Sequence, residues 1–260
     1  MNENSEQMPT DKIFVVTPVA NEESSIAKTI HDVFALPYPT LTFCPVIDRF
    51  SKDRTLEILE DKKKSYGGRL QIVYYKQSTG VASCYLYGFN YACKCGASAI
   101  VEMDAGGSHQ PDEIPLLMKK LEEGFDCAFG SRFMPGGLQV GSSLYRRIVS
   151  RGGTMLANIV LGTRQYDMTS GFEAFRADVL RRLDLNAFLS KGHMFQTEMR
   201  YYCRIFRTAE VPIHYISGSS TLKLRTVFRS LGILFRLPFQ PNARLTSSEA
   251  IDAETVAKRK

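Results

Sequence analysis

Three acidic residues stand where an apolar run gives way to a polar turn. Glu22 follows Ile13-Phe14-Val15-Val16-Thr17-Pro18, Asp48 follows Phe43-Cys44-Pro45-Val46-Ile47, and Asp104 follows Ile100-Val101-Glu102-Met103. A carboxylate accepts hydrogen bonds from a nucleobase or holds a hard cation through oxygen, so the three together could serve a nucleotide and its metal. Taken singly, each fits a plain strand terminus equally well, because Asp is common in turns. Further along, Arg132 and Arg146 lie fourteen residues apart, and Ser150 follows Arg146 by four on one helical face. Two guanidiniums suit a phosphate monoester, since each offers a planar fork of donors and stays charged. A solvated basic helix face is the competing reading and fits Arg147 and Arg151 better.

For these side chains to meet, the fold must gather strand ends. Lys12 to Thr17 is a β-branched run that stops at Pro18, and Asn21-Glu22-Glu23 then reads as an N-cap with acidic residues in the first helical turn. The pattern repeats. Leu41 to Ile47, Leu70 to Tyr75, Ala97 to Met103 and Asp126 to Phe129 read as strands, with helices from about Thr55, over Val81 to Lys94 and from Pro111-Asp112-Glu113. Such alternation predicts an α/β fold with a doubly wound, mostly parallel central sheet, whose ligand crevice lies at the carboxyl ends of the strands. Asp48 and Asp104 would point into that crevice.

Beyond Gly130 the alternation stops. Gly141 to Leu161 predicts a helix with Arg146, Arg147 and Arg151 set among Leu144, Ile148, Val149, Met155, Leu156 and Ile159. That pattern suits a helix lying in a membrane interface, with a core helix as the alternative. A strand over Gly171 to Arg176, a helix over Met194 to Phe206 and a strand over Glu210 to Ile216 follow. Residues 225–239 form a basic amphipathic segment suited to a membrane surface, 240–260 read as a disordered tail and 1–11 as a flexible N-terminus.

A chain of 260 residues with 44% hydrophobic content can bury one substantial core, and its net charge of +6 favours a polyanionic partner without choosing among nucleic acid, anionic lipid and nucleotide. No run reaches the roughly 18–20 apolar residues that cross a bilayer, and the first twelve residues are not signal-like, so a cytoplasmic location is expected. Six scattered cysteines lack the spacing of a disulfide framework or zinc site. Cys93 and Cys95, one residue apart, are a weak metal signal, and reduced thiols are the expectation.

Taken together, the segments VVTPVANEE (Val15 to Glu23), VIDRFSKDRT (Val46 to Thr55) and VEMDAGGSHQPDEIPLLMKKL (Val101 to Leu121) resemble the nucleotide-sugar segments of family 2 glycosyltransferases, which have the GT-A fold. GSRFMPGG, RRIVSRGGTMLAN, DMTSGFEAFR, FQTEM and EVPIHY narrow the resemblance to the dolichol-phosphate mannose synthase branch, in order from about Ile13 to Lys223. The resemblance implies a GT-A domain over 12–224 with a C-terminal acceptor-side extension. It also implies an inverting transfer of a mannose- or glucose-like hexose from a nucleotide diphosphate sugar to a polyisoprenyl (dolichyl or undecaprenyl) phosphate. The implied setting is peripheral, at the inner face of a membrane, with a separate membrane-anchoring subunit as a further partner and no nucleic acid.

Residue by residue, the resemblance assigns Pro18, Ala20 and Glu22 to the base and ribose pocket and Asp48 to the base, although an aromatic residue is usual where Ala20 stands. Arg49 replaces a usual second Asp, and Arg54 a usual Gly. Asp104 matches the first carboxylate of the Asp-Ala-Asp motif that holds Mg²⁺ or Mn²⁺, while position 106 is Gly, and Ser108 is the other implied metal ligand. His109 is expected to be structural or to touch the sugar. Arg132, Arg146 and Ser150 match the acceptor-phosphate clamp. Gln196 and Lys223 are implied to serve the donor, and Glu198 joins Asp104 and Arg132 as a catalytic residue, with a pairing on its own helix as the alternative. Gly136 and Gly137 would suit a loop that closes over a sugar, or a plain turn.

A phosphate acceptor needs no strong base, because a monoester's second pKa is ~6. A saccharide acceptor would need one, for which Asp167 or Glu198 could serve. A nucleotide-binding homologue without turnover is the rival outside enzymes.

Overall fold

The structure, a computed structural model, describes residues 12–192, 194–217 and 224–240. The expectations for residues 1–11, Lys223 and 241–260 lie outside the described residues. At the centre runs β1 (Ile13–Val19), paired in parallel with β2 (Thr42–Asp48) on one side and β4 (Ala99–Glu102) on the other. Covered on both faces, β1 has the near-continuous apolar sequence of a buried parallel strand. Its alternate side chains enter two cores: Phe14 and Val16 pack with α3 (Val81–Lys94), while Ile13, Val15 and Val19 pack with α1 (Ile26–Phe34) and α4 (Ile114–Glu122). Close approach of α3 to the sheet depends on Gly88, where a Cβ would stand 2.4 Å from Val16 Cγ1 and 2.8 Å from Val46 Cγ2.

With β3 (Val73–Tyr75), β5 (Cys127–Ser131), β7 (Glu173–Arg176) and β8 (Thr208–Pro212), the sheet has the order β3-β2-β1-β4-β7-β5-β8. Only β7 is antiparallel to its neighbours, β4 and β5. The mostly parallel α/β sheet expected from the alternation is therefore present, and the late strand Gly171 to Arg176 is inserted in its middle, shortened to Glu173–Arg176.

Several elements differ from expectation. The helix expected to open at Asn21 begins at Ile26, because Asn21 sits in the left-handed region (φ 59°) and the Glu22 carbonyl accepts from Ser25 and Ile26 N–H to close a turn first. The Leu70 to Tyr75 strand shrinks to β3, and Leu70 keeps one bridge to Phe43. The Glu210 to Ile216 strand divides at buried Ile213, whose N–H donates to Ser131 and whose carbonyl accepts from Leu138. Its first part is β8; the second is β9 (His214–Ile216), which pairs with an unanticipated β6 (Leu138–Val140) in a two-stranded sheet.

α5 (Leu144–Leu161) is capped by Ser143, whose Oγ accepts from Arg146 N–H, and α7 (Phe195–Cys203) follows α6 (Ala177–Arg182). α8 (Leu224–Leu234) lies against α5, and Leu234 and Leu237 are buried in the α3-side core. The segment 225–239 thus packs, through Leu234 and Leu237, onto the body formed by the central sheet and its helices.

Candidate active site

Two loops at the carboxyl ends of β1 and β2 are laced together. Asn21 donates through its N–H to Ser51 Oγ and accepts from Lys52 N–H, Glu22 N–H donates to Thr55 Oγ1 (2.8 Å), and Glu23 N–H donates to Asp53 (3.0 Å). The Arg54 N–H donates to Glu23, its φ is −78°, and its guanidinium pairs outward with Glu57. No left-handed conformation is required there, so the Gly-to-Arg departure leaves the turn intact. Arg49 lies over the Phe50 ring.

Asp48 anchors this corner. Its Oδ1 accepts from Ser78 Oγ (2.7 Å) and Phe50 N–H (3.0 Å), leaving Oδ2 with a weak 3.8 Å contact from the Cys84 thiol. Pro18, Ala20, Glu22, Asp48, Asp104, Gly106 and Ser108 border one cavity of about 280 Å³. The expected donor-pocket residues on the first two loops therefore do come together. Glu22 is half-buried and its pKa is raised, by burial first and then by neighbouring Asp104 and Asp53, against the lowering effect of the Ser25 hydroxyl.

Asp104 is the hinge of the site, because it and Ser108 also border a second cavity of about 600 Å³. The buried Tyr85 hydroxyl donates to Asp104 Oδ1 (2.8 Å). Asp104 N–H donates to His109 Nδ1 (3.1 Å), which makes that nitrogen an acceptor. Burial lowers the His109 pKa, with Arg132 adding to the effect and Asp104 opposing it, and the ring stacks on Phe172. A neutral, structural His109 that borders the cavity matches its expected role.

The larger cavity has two chemistries. Asp104, His109, Arg132, Arg146, Ser150 and Gln196 line it, and so do Val149, Leu156 and Ala157 of α5 with Val227, Leu231 and Leu234 of α8. Arg132, Arg146 and Ser150, predicted as a phosphate clamp, thus share one wall system. Arg132 is held by the buried Asp167 in a bidentate pair, Nε to Oδ2 at 2.7 Å and Nη2 to Oδ1 at 2.9 Å, and Nη2 also donates to Thr169 (2.5 Å). Its Nη1 is the nitrogen left to reach a ligand. The Gly136-Gly137 loop is a tight turn into β6: Gly136 has φ 89°, and a Cβ on Gly137 would stand 2.6 Å from the Ser131 carbonyl oxygen.

The sequence profile described as glycosyl transferase family 2 matches residues 14–184 of this chain, a span that holds both cavities' acidic and Arg132 walls. The chain belongs to that family. It is similar to polyprenol monophosphomannose synthase of Mycolicibacterium smegmatis, at 31% identity over 80% of this chain and 78% of that protein. It is also similar to undecaprenyl-phosphate mannosyltransferase of Micrococcus luteus, at 32% identity over 79% of this chain and 84% of the relative. These relatives place it in the dolichol-phosphate mannose synthase-like branch. Glucosyl-3-phosphoglycerate synthase of Mycobacterium tuberculosis, crystallised with Mn²⁺, UDP-glucose and glycerol 3-phosphate, superposes with a TM-score of 0.62 over 91% of this chain and 82% of its own. At 16% identity that likeness is one of fold.

Within this glycosyltransferase, Glu198 is a correction. It is fully buried, and its two carboxylate oxygens accept from the Leu189 (2.9 Å) and Ser190 (2.8 Å) N–H groups, so it holds a loop and borders neither cavity. Its partners lie in the loop before α7 and not on its own helix, where the alternative had placed them. Gln196 does border the large cavity, and its side-chain amide donates to Glu102 (3.2 Å).

A buried charged network behind the site was not anticipated. Because β7 pairs with β4, Glu173 lies directly across from Glu102. Burial first, then the neighbouring Glu173 and Asp104, push Glu102 well above the usual carboxylate range. Burial raises Glu173 to about 7 despite its 2.6 Å contact with Arg200. Fully buried Arg200 also donates to the Gly130 and Ser170 carbonyls, both at 3.1 Å, and to that of Asp167, which ties together the loops that present Arg132. The available signal was Arg200 itself, a charge directly after FQTEM on a helix of which every residue but Gln196 is buried.

Among the described residues no three His, Cys, Asp or Glu side chains form a metal site by themselves. Asp104, Glu22 and Ser108 nonetheless offer hard oxygen donors to one cavity, the donor chemistry that Mg²⁺ or Mn²⁺ takes when a diphosphate supplies the remainder.

Proposed function

We propose that this glycosyltransferase moves a hexose from a nucleoside diphosphate sugar to a polyprenyl phosphate with inversion at the anomeric carbon. The larger cavity carries the reading: arginines and aliphatic side chains of α5 and α8 line one space, which fits a phosphate on an isoprenoid tail. It meets the smaller, Asp48-bearing cavity at Asp104 and Ser108, where donor sugar and acceptor phosphate would come into line. The names of the M. smegmatis and M. luteus relatives agree with this acceptor.

In the transfer, an acceptor phosphate oxygen forms the new bond to the anomeric carbon as the bond to the diphosphate oxygen breaks and the nucleoside diphosphate leaves. Arg132 Nη1 and Arg146 hold the acceptor phosphate, which is anionic at neutral pH with a second pKa of ~6, and Ser150 donates to it. Asp48 Oδ2 accepts from the base, while Pro18 and Ala20 wall the nucleoside. Gln196 faces the sugar, oriented by Glu102. A divalent cation, as the Mn²⁺ complex of the M. tuberculosis enzyme has, would neutralise the leaving diphosphate near Asp104 and Ser108. Lys223 is proposed to add positive charge there.

A saccharide acceptor would need a carboxylate base. Asp167, held at about 2 and locked to Arg132, is a poor one, and both Glu198 oxygens are committed to backbone N–H groups. This supports the phosphate acceptor.

α5 presents Leu144, Ile148, Met155 and Ile159 in one exposed stripe, and Phe228, Phe235 and Phe239 are exposed on and after α8. No helix among the described residues is long and apolar enough to cross a membrane. We place this face, with Arg147 and Arg151 beside it, on an anionic bilayer from which the lipid tail enters between α5 and α8.

An incubation of the protein with UDP- and GDP-hexoses, Mn²⁺ and either a short polyprenyl phosphate or a panel of saccharides, with the products weighed, tests the reading. A lipid phosphate heavier by one hexose is expected. Transfer to saccharides alone would overturn the acceptor assignment.

A further inference from the structure

Tyr85 is fully buried on α3, with its ring stacked on Phe195 (5.9 Å between centroids, 4° between planes) and on Phe89 (5.9 Å). A phenylalanine would satisfy that packing equally. The hydroxyl is what the apolar surroundings do not call for, because a polar group taken out of water costs free energy unless it is bonded. Its partner is Asp104 Oδ1, at 2.8 Å, and that carboxylate reaches open water: the Asp104 side chain is 42% exposed. A bond from a buried donor to an exposed carboxylate adds little to the fold, since water serves the same oxygen once the hydroxyl is removed. It does fix which way the carboxylate faces. The backbone beneath is fixed as well, through Asp104 N–H to His109 Nδ1 at 3.1 Å, and His109 is itself stacked on Phe172. Oδ2 stands 3.9 Å from the same His109 nitrogen, which is already an acceptor, so Oδ2 is left for a ligand.

We propose that Tyr85 is a positioning residue for the transfer: its hydroxyl holds Asp104 Oδ1 and so presents Oδ2 to the divalent cation where the two cavities meet. The inference rests on the donor site proposed above and adds a residue that acts through Asp104. Tyr85 borders neither cavity, so it touches no substrate. The phenol is a donor at neutral pH and its ring is locked by Phe195 and Phe89, so the carboxylate is oriented before the ion arrives. An Asp104 side chain released from that bond would sample several rotamers in water, and the ion would have to select one. Phe195 opens α7 directly before Gln196, so the same aromatic stack joins the Asp104 loop to another wall of the larger cavity.

Mn²⁺ binding to the full chain with UDP or GDP, followed by electron paramagnetic resonance of the free ion, tests this. Tyr85→Phe should weaken Mn²⁺ by about ten- to a hundredfold, the scale for removing a partner of a metal ligand. The Mn²⁺ concentration for half-maximal transfer should rise in step, with the KM for polyprenyl phosphate within about twofold of native and the unfolding midpoint within ~4 °C. Tyr85→Phe/Asp104→Asn should be no worse than Asp104→Asn, because two residues that serve one interaction are not additive. Native-like Mn²⁺ binding by Tyr85→Phe, beside its loss in Asp104→Asn, overturns the role of Tyr85 and leaves the donor site standing. A native protein that binds no Mn²⁺ with either nucleotide removes the cation site and the proposal with it. A Tyr85→Phe midpoint lowered by roughly 10 °C or more makes the hydroxyl a support of the fold and also overturns the proposal. So does a double variant that transfers about tenfold more slowly than Asp104→Asn, since Tyr85 then acts through another group.

Discussion

Replacing Arg132 by Ala should do two separable things. Its guanidinium and the Asp167 carboxylate form a bidentate pair with side chains 6% and 0% exposed, so the substitution strands a carboxylate in the interior. Burial pushes Asp167 up, but the charge and hydrogen bonds of Arg132, with Arg200 beyond, outweigh it and bring Asp167 from 3.8 to about 2. At ~1.4 kcal/mol per pKa unit, that depression is worth about 2–3 kcal/mol of native stability at neutral pH. Removing one member of a buried pair generally costs about 3–5 kcal/mol, so the two routes agree on scale. With ~2–4 °C per kcal/mol for a chain of this size, the unfolding midpoint at pH 7 should fall by roughly 5–15 °C. Because the folded pKa is the lower one, the contribution is complete well above the unfolded value and disappears as pH falls through about 2. The gap between native protein and Arg132→Ala should therefore be flat from about pH 5 to 8 and narrow below about pH 4. Arg132→Ala/Asp167→Asn removes the stranded charge and should regain at least half of the lost stability, yet keep a raised KM for polyprenyl phosphate. Calorimetric midpoints and acceptor kinetics on the same preparations check both effects. A midpoint within ~2 °C of native would refute the buried pair, and a double variant with native acceptor KM would refute the phosphate contact.

Glu198→Gln should lower the midpoint through a loss of about 1–3 kcal/mol, since one of two buried N–H groups loses its acceptor. Its kcat per folded molecule should be unchanged; a hundredfold fall in kcat with a native midpoint would return Glu198 to the chemistry. Asp48→Asn should weaken nucleotide binding at Oδ2 by about 1.5–3 kcal/mol, the scale of a hydrogen bond to a charged group, while Ser78 and Phe50 keep a partner at Oδ1. Unchanged nucleotide affinity in a titration would remove Asp48 from the base. Ile148→Glu/Ile159→Glu on the exposed stripe of α5 should cut sedimentation with anionic vesicles and leave transfer to a water-soluble short-chain acceptor intact. Native-like vesicle binding would mean that the bilayer meets another face.

Local signals were legible in the residues alone. Strand–helix alternation and a carboxylate after each of β2 and β4 depend on period and turn chemistry within a dozen residues, and they foretold the sheet and the placing of Asp48 and Asp104. Arg146 and Ser150 could be set on one face because helical spacing alone relates them. What escaped depends on neighbours far apart in sequence. The antiparallel insertion of β7 between β4 and β5 puts Glu173 beside Glu102 and gives Arg200 its buried partner, and no local pattern reports which strand slips between which. Glu198 belongs to a recognisable segment, but its direction is set by two N–H groups of the preceding loop. Glu22 and Gly106 are separated by 84 residues, and only the packing of the β1–α1 loop on the loop after β4 brings them to one cavity. The sequence determined which residue types arrive at the carboxyl edge of the sheet; the tertiary structure decided which of them touch, because side-chain contacts are fixed by long-range packing and not by spacing along the chain.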